Sequence, residues 1–121
     1  MDVVRRLDLE QDPASVGAAR RFVREALSDW GADDPEDTAA LVASELVTNA
    51  LHHAAGPVSL FVARRLDRVV LSVTDGSIEP AEVEVTGLLS ESGRGLALVQ
   101  SLTRAWGEEL LPEVKRVWAE V

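Results

Sequence analysis

Apolar residues are sparse at the start of this chain, then recur at helical spacing, then in alternation. Val4, Leu7 and Leu9 make a weak first strand. Asp12-Pro13 opens a helix to about Trp30, with Val16, Ala19, Phe22, Val23, Ala26, Leu27 and Trp30 on one stripe and Gly31 as its stop. Asp34-Pro35-Glu36 starts a second helix that continues to about Ala55 and stops at Gly56-Pro57. Val58, Leu60 and Val62 alternate with Ser59, Phe61 and Ala63. After Leu66-Asp67-Arg68 comes a second β-rich run, Val69 to Val73, so the two read as a hairpin. Asp75-Gly76-Ser77 ends that run, and residues 76–92 hold Gly, Pro, Ser and Glu with little periodicity, the mark of a lid or binding loop. Gly93-Arg94-Gly95 leads into a third helix, Leu96 to about Ala105, and strands follow near Trp106–Leu110 and Lys115–Val121. This order predicts an α/β, two-layer sandwich: three main helices packed on a mixed, mostly antiparallel sheet.

Composition narrows the function classes. A length of 121 residues, 46% hydrophobic and 27% charged, suits one globular domain spanning 1–121. The net charge of −9 repels phosphate backbones and anionic lipids, which argues against direct nucleic-acid or membrane binding. A small anionic ligand is still compatible, because a few oriented amides can hold one phosphate locally. The absence of cysteine removes disulfides and thiolate chemistry. With no signal-like start and no apolar run of about 18 residues, the expected compartment is the cytoplasm.

The second helix carries the first candidate chemistry. At about 100° per residue, Ala39, Ala43, Leu46, Val47, Ala50, Leu51 and Ala54 share an apolar arc. Glu45, Asn49 and His52 cluster within about 60° on the opposite arc, with Thr38 beside them and His53 at the border. The plain reading is a solvated face. The functional one starts from Asn49, a poor residue for a helix interior, one turn after a carboxylate. Together they offer a base and a neutral carbonyl oxygen to one point, which suits Mg²⁺ that takes its other ligands from phosphates and water. Zinc is disfavoured, since no Cys and no His beyond 52 and 53 is present.

Two further segments add to this. Asp75, directly after an apolar strand, is either a turn former or a carboxylate that accepts from a ligand's amino group. Gly93-Arg94-Gly95 at a helix start is either a simple turn or a phosphate seat made of free amides, with Arg94 adding a charge-assisted bond. It matches neither a P-loop nor a dinucleotide fingerprint.

Taken in order, Glu45-Leu46-Val47-Thr48-Asn49-Ala50-Leu51-His52-His53-Ala54, then Val73-Thr74-Asp75-Gly76-Ser77, then Gly93-Arg94-Gly95-Leu96-Ala97-Leu98-Val99, and last Lys115-Arg116-Val117-Trp118-Ala119-Glu120, the chain resembles the histidine-kinase-like (GHKL) ATPase superfamily. Within it, the branch of small anti-sigma-factor serine/threonine kinases is the most similar. The resemblance implies a Bergerat-type sandwich that binds ATP and Mg²⁺ under a lid at about 78–92. It implies Glu45 as catalytic base, Asn49 as Mg²⁺ ligand and Asp75 as acceptor from the adenine amino group. Gly93, Arg94 and Gly95 would lie at the phosphates, with His53, Ser77 and Leu96 among the nucleotide-contacting positions. The implied partners are a small anti-anti-sigma antagonist, phosphorylated on a serine or threonine, and a sigma factor. A non-catalytic ATP-binding or protein-binding module of the same fold is the alternative. Relatives often dimerise, although no exposed apolar stripe here demands a homodimer. Two departures stand out: Ser77 replaces the second Gly of the Asp-x-Gly motif, and Val114-Lys115-Arg116 stands where many relatives carry Gly-Lys-Thr.

Overall fold

The weak strand expected from Val4, Leu7 and Leu9 becomes β1, Val3–Leu9, in which exposure alternates, Val4 faces out and the buried end is Leu9. In this computed structural model, residues 2–34, 36–53, 57–76, 99–112 and 114–121 are described. After β1 come α1 (Ala14–Asp29), α2 (Thr38–His53), β2 (Val58–Arg65), β3 (Arg68–Asp75), β4 (Ala105–Leu111) and β5 (Val114–Glu120). Residues 99–102, just before β4, are helical, and Val99 is buried in the core.

Local chemistry sets the helix boundaries. The Asp12 carboxylate accepts from the Ala14 amide at 2.8 Å, and Ser15 Oγ donates to the Glu10 carbonyl at 2.6 Å, fixing the start of α1. Its end is a Schellman turn: Gly31 sits at φ 63°, its amide donates to Ser28, and the Ala32 amide reaches back to Leu27. The expected start of α2 at Asp34-Pro35-Glu36 moves to Thr38. Asp34 lies before the helix and spends its carboxylate on the Thr38 and Ala39 amides, at 3.0 and 3.1 Å, while Asp37 takes a left-handed φ of 57° at the junction. The charge thus meets the positive end of the helix from outside it.

The five strands form one sheet in the order β1-β2-β3-β5-β4. Every pairing among the described residues is antiparallel, so the mostly antiparallel character expected from sequence holds and no parallel member is found there. β2 and β3 turn through Leu66-Asp67, with Leu66 at φ 56° and 81% exposed. Register sorts the side chains by face. Leu60 and Val62 of β2 stand opposite Val73 and Leu71 of β3, which stand opposite Val117 and Ala119 of β5. All six are buried under the helices. α1 adds Ala19, Val23, Ala26 and Leu27 to this core, and α2 adds Ala39, Ala40, Val42, Ala43, Leu46, Val47 and Ala50. The result is a two-layer α+β sandwich, with helices on one side of an open sheet.

α2 overturns the expectation of a solvated polar face. It packs against α1 and also against β3, β2 and β5. Its alanines bring it close to both layers, so burial extends around most of the helix: Ser44 is 1% exposed and Asn49 only 2%. The wheel assumed one core-facing arc, whereas a helix that packs on both the sheet and a neighbouring helix buries more than one.

Candidate functional site

The polar residues of α2 sort into three environments. Ser44 Oγ donates to the Leu41 carbonyl at 2.8 Å and Thr48 Oγ1 to the Ser44 carbonyl at 2.7 Å. These hydroxyls are occupied by the helix itself. His52 is exposed and lines a groove of about 320 Å³ with Thr48, Leu51, Gln11, Asp12, Pro13 and Val16, along the flank of α2 beside the start of α1. Glu45 and Asn49 remain, one helical turn apart, Glu45 half-buried and Asn49 buried. An amide side chain enclosed this far is expensive to bury without something to bond, and nothing about helix propensity asks for it.

Asp75 is the last residue of β3, the strand against which α2 packs. It is 2% exposed. The two-residue alternation that buries Leu71 and Val73 carries Asp75 to the same, helix-covered face. Asp75 is therefore no surface turn former. It is a carboxylate enclosed where the apolar row of the sheet runs out.

Lys115 belongs to the same neighbourhood, and no functional role was read for it from the sequence. It is 1% exposed and stands directly opposite Asp75 in the β3–β5 ladder. The signal was present: Lys115 is the only lysine in the chain, and it shares its alternation with Val117 and Ala119.

The other expected positions lie outside the described residues. These are Ser77, the loop at 78–92, the Gly93-Arg94-Gly95 turn and Leu96. His53 closes α2, with its side chain outside the description.

The donor set fits a magnesium–nucleotide ligand. Asn49 would offer one neutral oxygen, and a hard cation held through phosphate oxygens and water needs few ligands from the protein. Asp75 would offer an acceptor in an enclosed setting, where a matched amino group gains most and an unmatched one is rejected. No described helix is long and apolar enough to cross a membrane.

A comparison with the curated proteins found no match. The family model of the histidine kinase-like ATPase domain, in contrast, matches residues 9–118, from the end of β1 through most of β5. The buried Asn49 after Glu45, and the buried Asp75 at the end of the strand beneath them, therefore sit in a chain that belongs to the histidine kinase-like ATPase domain family, an ATP-binding module of GHKL type.

Proposed function

We propose that this chain is an ATP- and Mg²⁺-dependent regulatory kinase of the anti-sigma type, which phosphorylates a serine or threonine of a small protein antagonist and binds a sigma factor. The observation that carries the catalytic part is the pairing on α2: a half-buried carboxylate, Glu45, one turn before the buried amide of Asn49. The partner classes rest on the resemblance of the sequence motifs to that branch.

Asn49 would hold Mg²⁺, which when bound neutralises charge on the phosphate oxygens. Glu45 takes the proton of the acceptor hydroxyl as its oxygen bonds to the γ-phosphorus. The bond from that phosphorus to the β–γ bridging oxygen breaks, and ADP leaves. Phosphoryl transfer asks mainly for positioning and charge stabilisation, so a single well-placed carboxylate is adequate chemistry for the protein to contribute. Asp75 fixes the base end of the nucleotide.

The test is phosphotransfer from γ-labelled ATP to a candidate antagonist, read beside ATP binding by calorimetry. The wild type should bind ATP and label the antagonist. Glu45→Ala should bind ATP and label nothing. Retained ATP binding by the wild type with no label on any antagonist tried would point instead to the non-catalytic module.

A further inference from the structure

The described helices cover one face of the sheet. On the other, alternation gathers Val4 of β1, Phe61 and Ala63 of β2 and Val70 of β3, with Val4 opposite Ala63 and Ala63 opposite Val70. They line the middle of a shallow groove of about 330 Å³ whose walls come entirely from strands. Val4 is 63% exposed, and the other three are half-buried. A contiguous apolar strip with a polar rim is the pattern of an interaction surface.

The groove's charge runs against that of the whole chain. The net charge is −9, yet the only charged residues lining the groove are Arg65 at one end and Arg116 at the other. They lie about 20 Å apart along the strands, since Arg65 faces Arg68, Arg116 faces Thr74, and six steps of β3 separate those two partners. Arg65 and Arg68 also oppose each other across the β2–β3 ladder, a like-charge pair that is unfavourable without an anion beside it. Arg68 bonds Glu120 at 2.7 Å, whereas among the described residues Arg65 reaches only Asp2, at 4.0 Å. The carboxylates at the margins are already engaged: Asp8 with Arg6 at 2.8 Å, and Glu109 with Arg116 at 3.0 Å.

A partner that matches this pattern is negative at both ends and apolar between. An added strand finds no open ladder here, because β2 and β3 each have a neighbour on both sides within the sheet. A helix needs no such groups. It buries a stripe of side chains, as α1 and α2 do on the opposite face. A span of about 20 Å corresponds to about 13 helical residues. We infer that the outer sheet face docks an acidic amphipathic helix of a partner protein, its apolar stripe on Val4, Phe61 and Val70 and its terminal carboxylates against Arg65 and Arg116. The inference is independent of nucleotide binding and of phosphate transfer.

The probe is a stapled helical peptide of about 14 residues with leucines on one stripe and glutamates in its first and last turns. Its control carries lysines in place of the glutamates. Each is titrated into the isotope-labelled full chain without nucleotide and followed by amide chemical shifts. The glutamate peptide should shift Phe61, Ala63 and Val70 and bind about tenfold or more tightly than the lysine control. Val4→Glu, at an exposed position where substitution leaves the fold intact, should abolish these shifts at an unchanged thermal midpoint. Arg65→Glu should weaken binding of the glutamate peptide about fivefold. Equal binding of the two peptides overturns the inference, as do shifts confined to α1 and α2, or none with the glutamate peptide at about 1 mM. A wild type that light scattering shows to be a dimer, with Val4→Glu a monomer, also overturns it, because a second copy of the chain then covers the face.

Discussion

Trp118 covers Gly107, its cross-strand partner in the β4–β5 ladder, so closely that the indole occupies the space a side chain would need. A Cβ on Gly107 would lie 2.9 Å from Cζ2 of the ring and 3.0 Å from Cε2 and Nε1. β4 is an edge strand, and the aromatic cover gives this glycine the packing that its own residue lacks. Gly107→Ala should force the indole outward and destabilise the fold by about 1–2 kcal/mol, as overpacking does. Thermal unfolding followed by tryptophan emission reads both effects; an unchanged midpoint would show that the ring moves aside freely.

The helix that carries Glu45 and Asn49 is held at its start by Asp34. Its two carboxylate oxygens accept from the Thr38 and Ala39 amides, which have no partner within the helix. Asp34→Ala should cost about 1 kcal/mol of stability, the usual value of a lost cap, measured as a shift of the urea midpoint at constant slope. Asp34→Asn keeps an oxygen acceptor and should recover most of the loss. Equal loss in both variants would assign the effect to charge and the helix dipole instead.

Arg24 on α1 grips Asp37 in front of α2, with contacts of 2.5 Å from Nη2 and 3.1 Å from Nε. The hydrogen bond from the guanidinium, opposed by slight desolvation and helped by its charge, holds the Asp37 carboxyl below the ordinary value of 3.8. A carboxyl depressed in the folded state stabilises the protein above its unfolded pKa, and the contribution is lost as pH falls through the folded pKa. Both side chains are about half exposed, so solvent screening keeps the contribution of the pair small. Arg24→Ala should therefore be slightly less stable than the wild type at pH 7, and the two should converge below about pH 3.8. A difference that persists at low pH would belong to packing of the arginine stem.

Much of the architecture was legible because periodicity and punctuation agree. The stripe from Val16 to Trp30 followed by Gly31 became α1 with its Schellman end, and Asp67 beside Leu66 became the hairpin turn. The candidate residues Glu45, Asn49 and Asp75 were legible as motif residues, but their burial was not. A helical wheel describes one helix alone, and it assigned Asn49 to solvent because it could not know that α2 packs against α1 as well as against the sheet. Likewise Lys115 sat in plain view within a strand pattern, yet its meaning depends on the register that puts it opposite Asp75, and register is a long-range property.

That register makes a last prediction about stability. Removing the Asp75 carboxylate leaves the neighbouring Lys115 charge enclosed with less to offset it, whereas removing both charges leaves an apolar end to the row above Val73 and Val117. Asp75→Asn should be destabilising by about 2–3 kcal/mol, within the range for breaking a buried polar network. Lys115→Met added to Asp75→Asn should cost less than Lys115→Met does in the wild type, with a coupling of about 0.5–3 kcal/mol if charges that face each other across the ladder interact. Chemical denaturation of the four proteins without nucleotide closes the cycle and keeps ligand linkage out of the comparison. Additive losses would mean that the two side chains act independently despite standing opposite each other. A coupling that weakens little in high salt would show that the pair is enclosed, where counterions screen poorly.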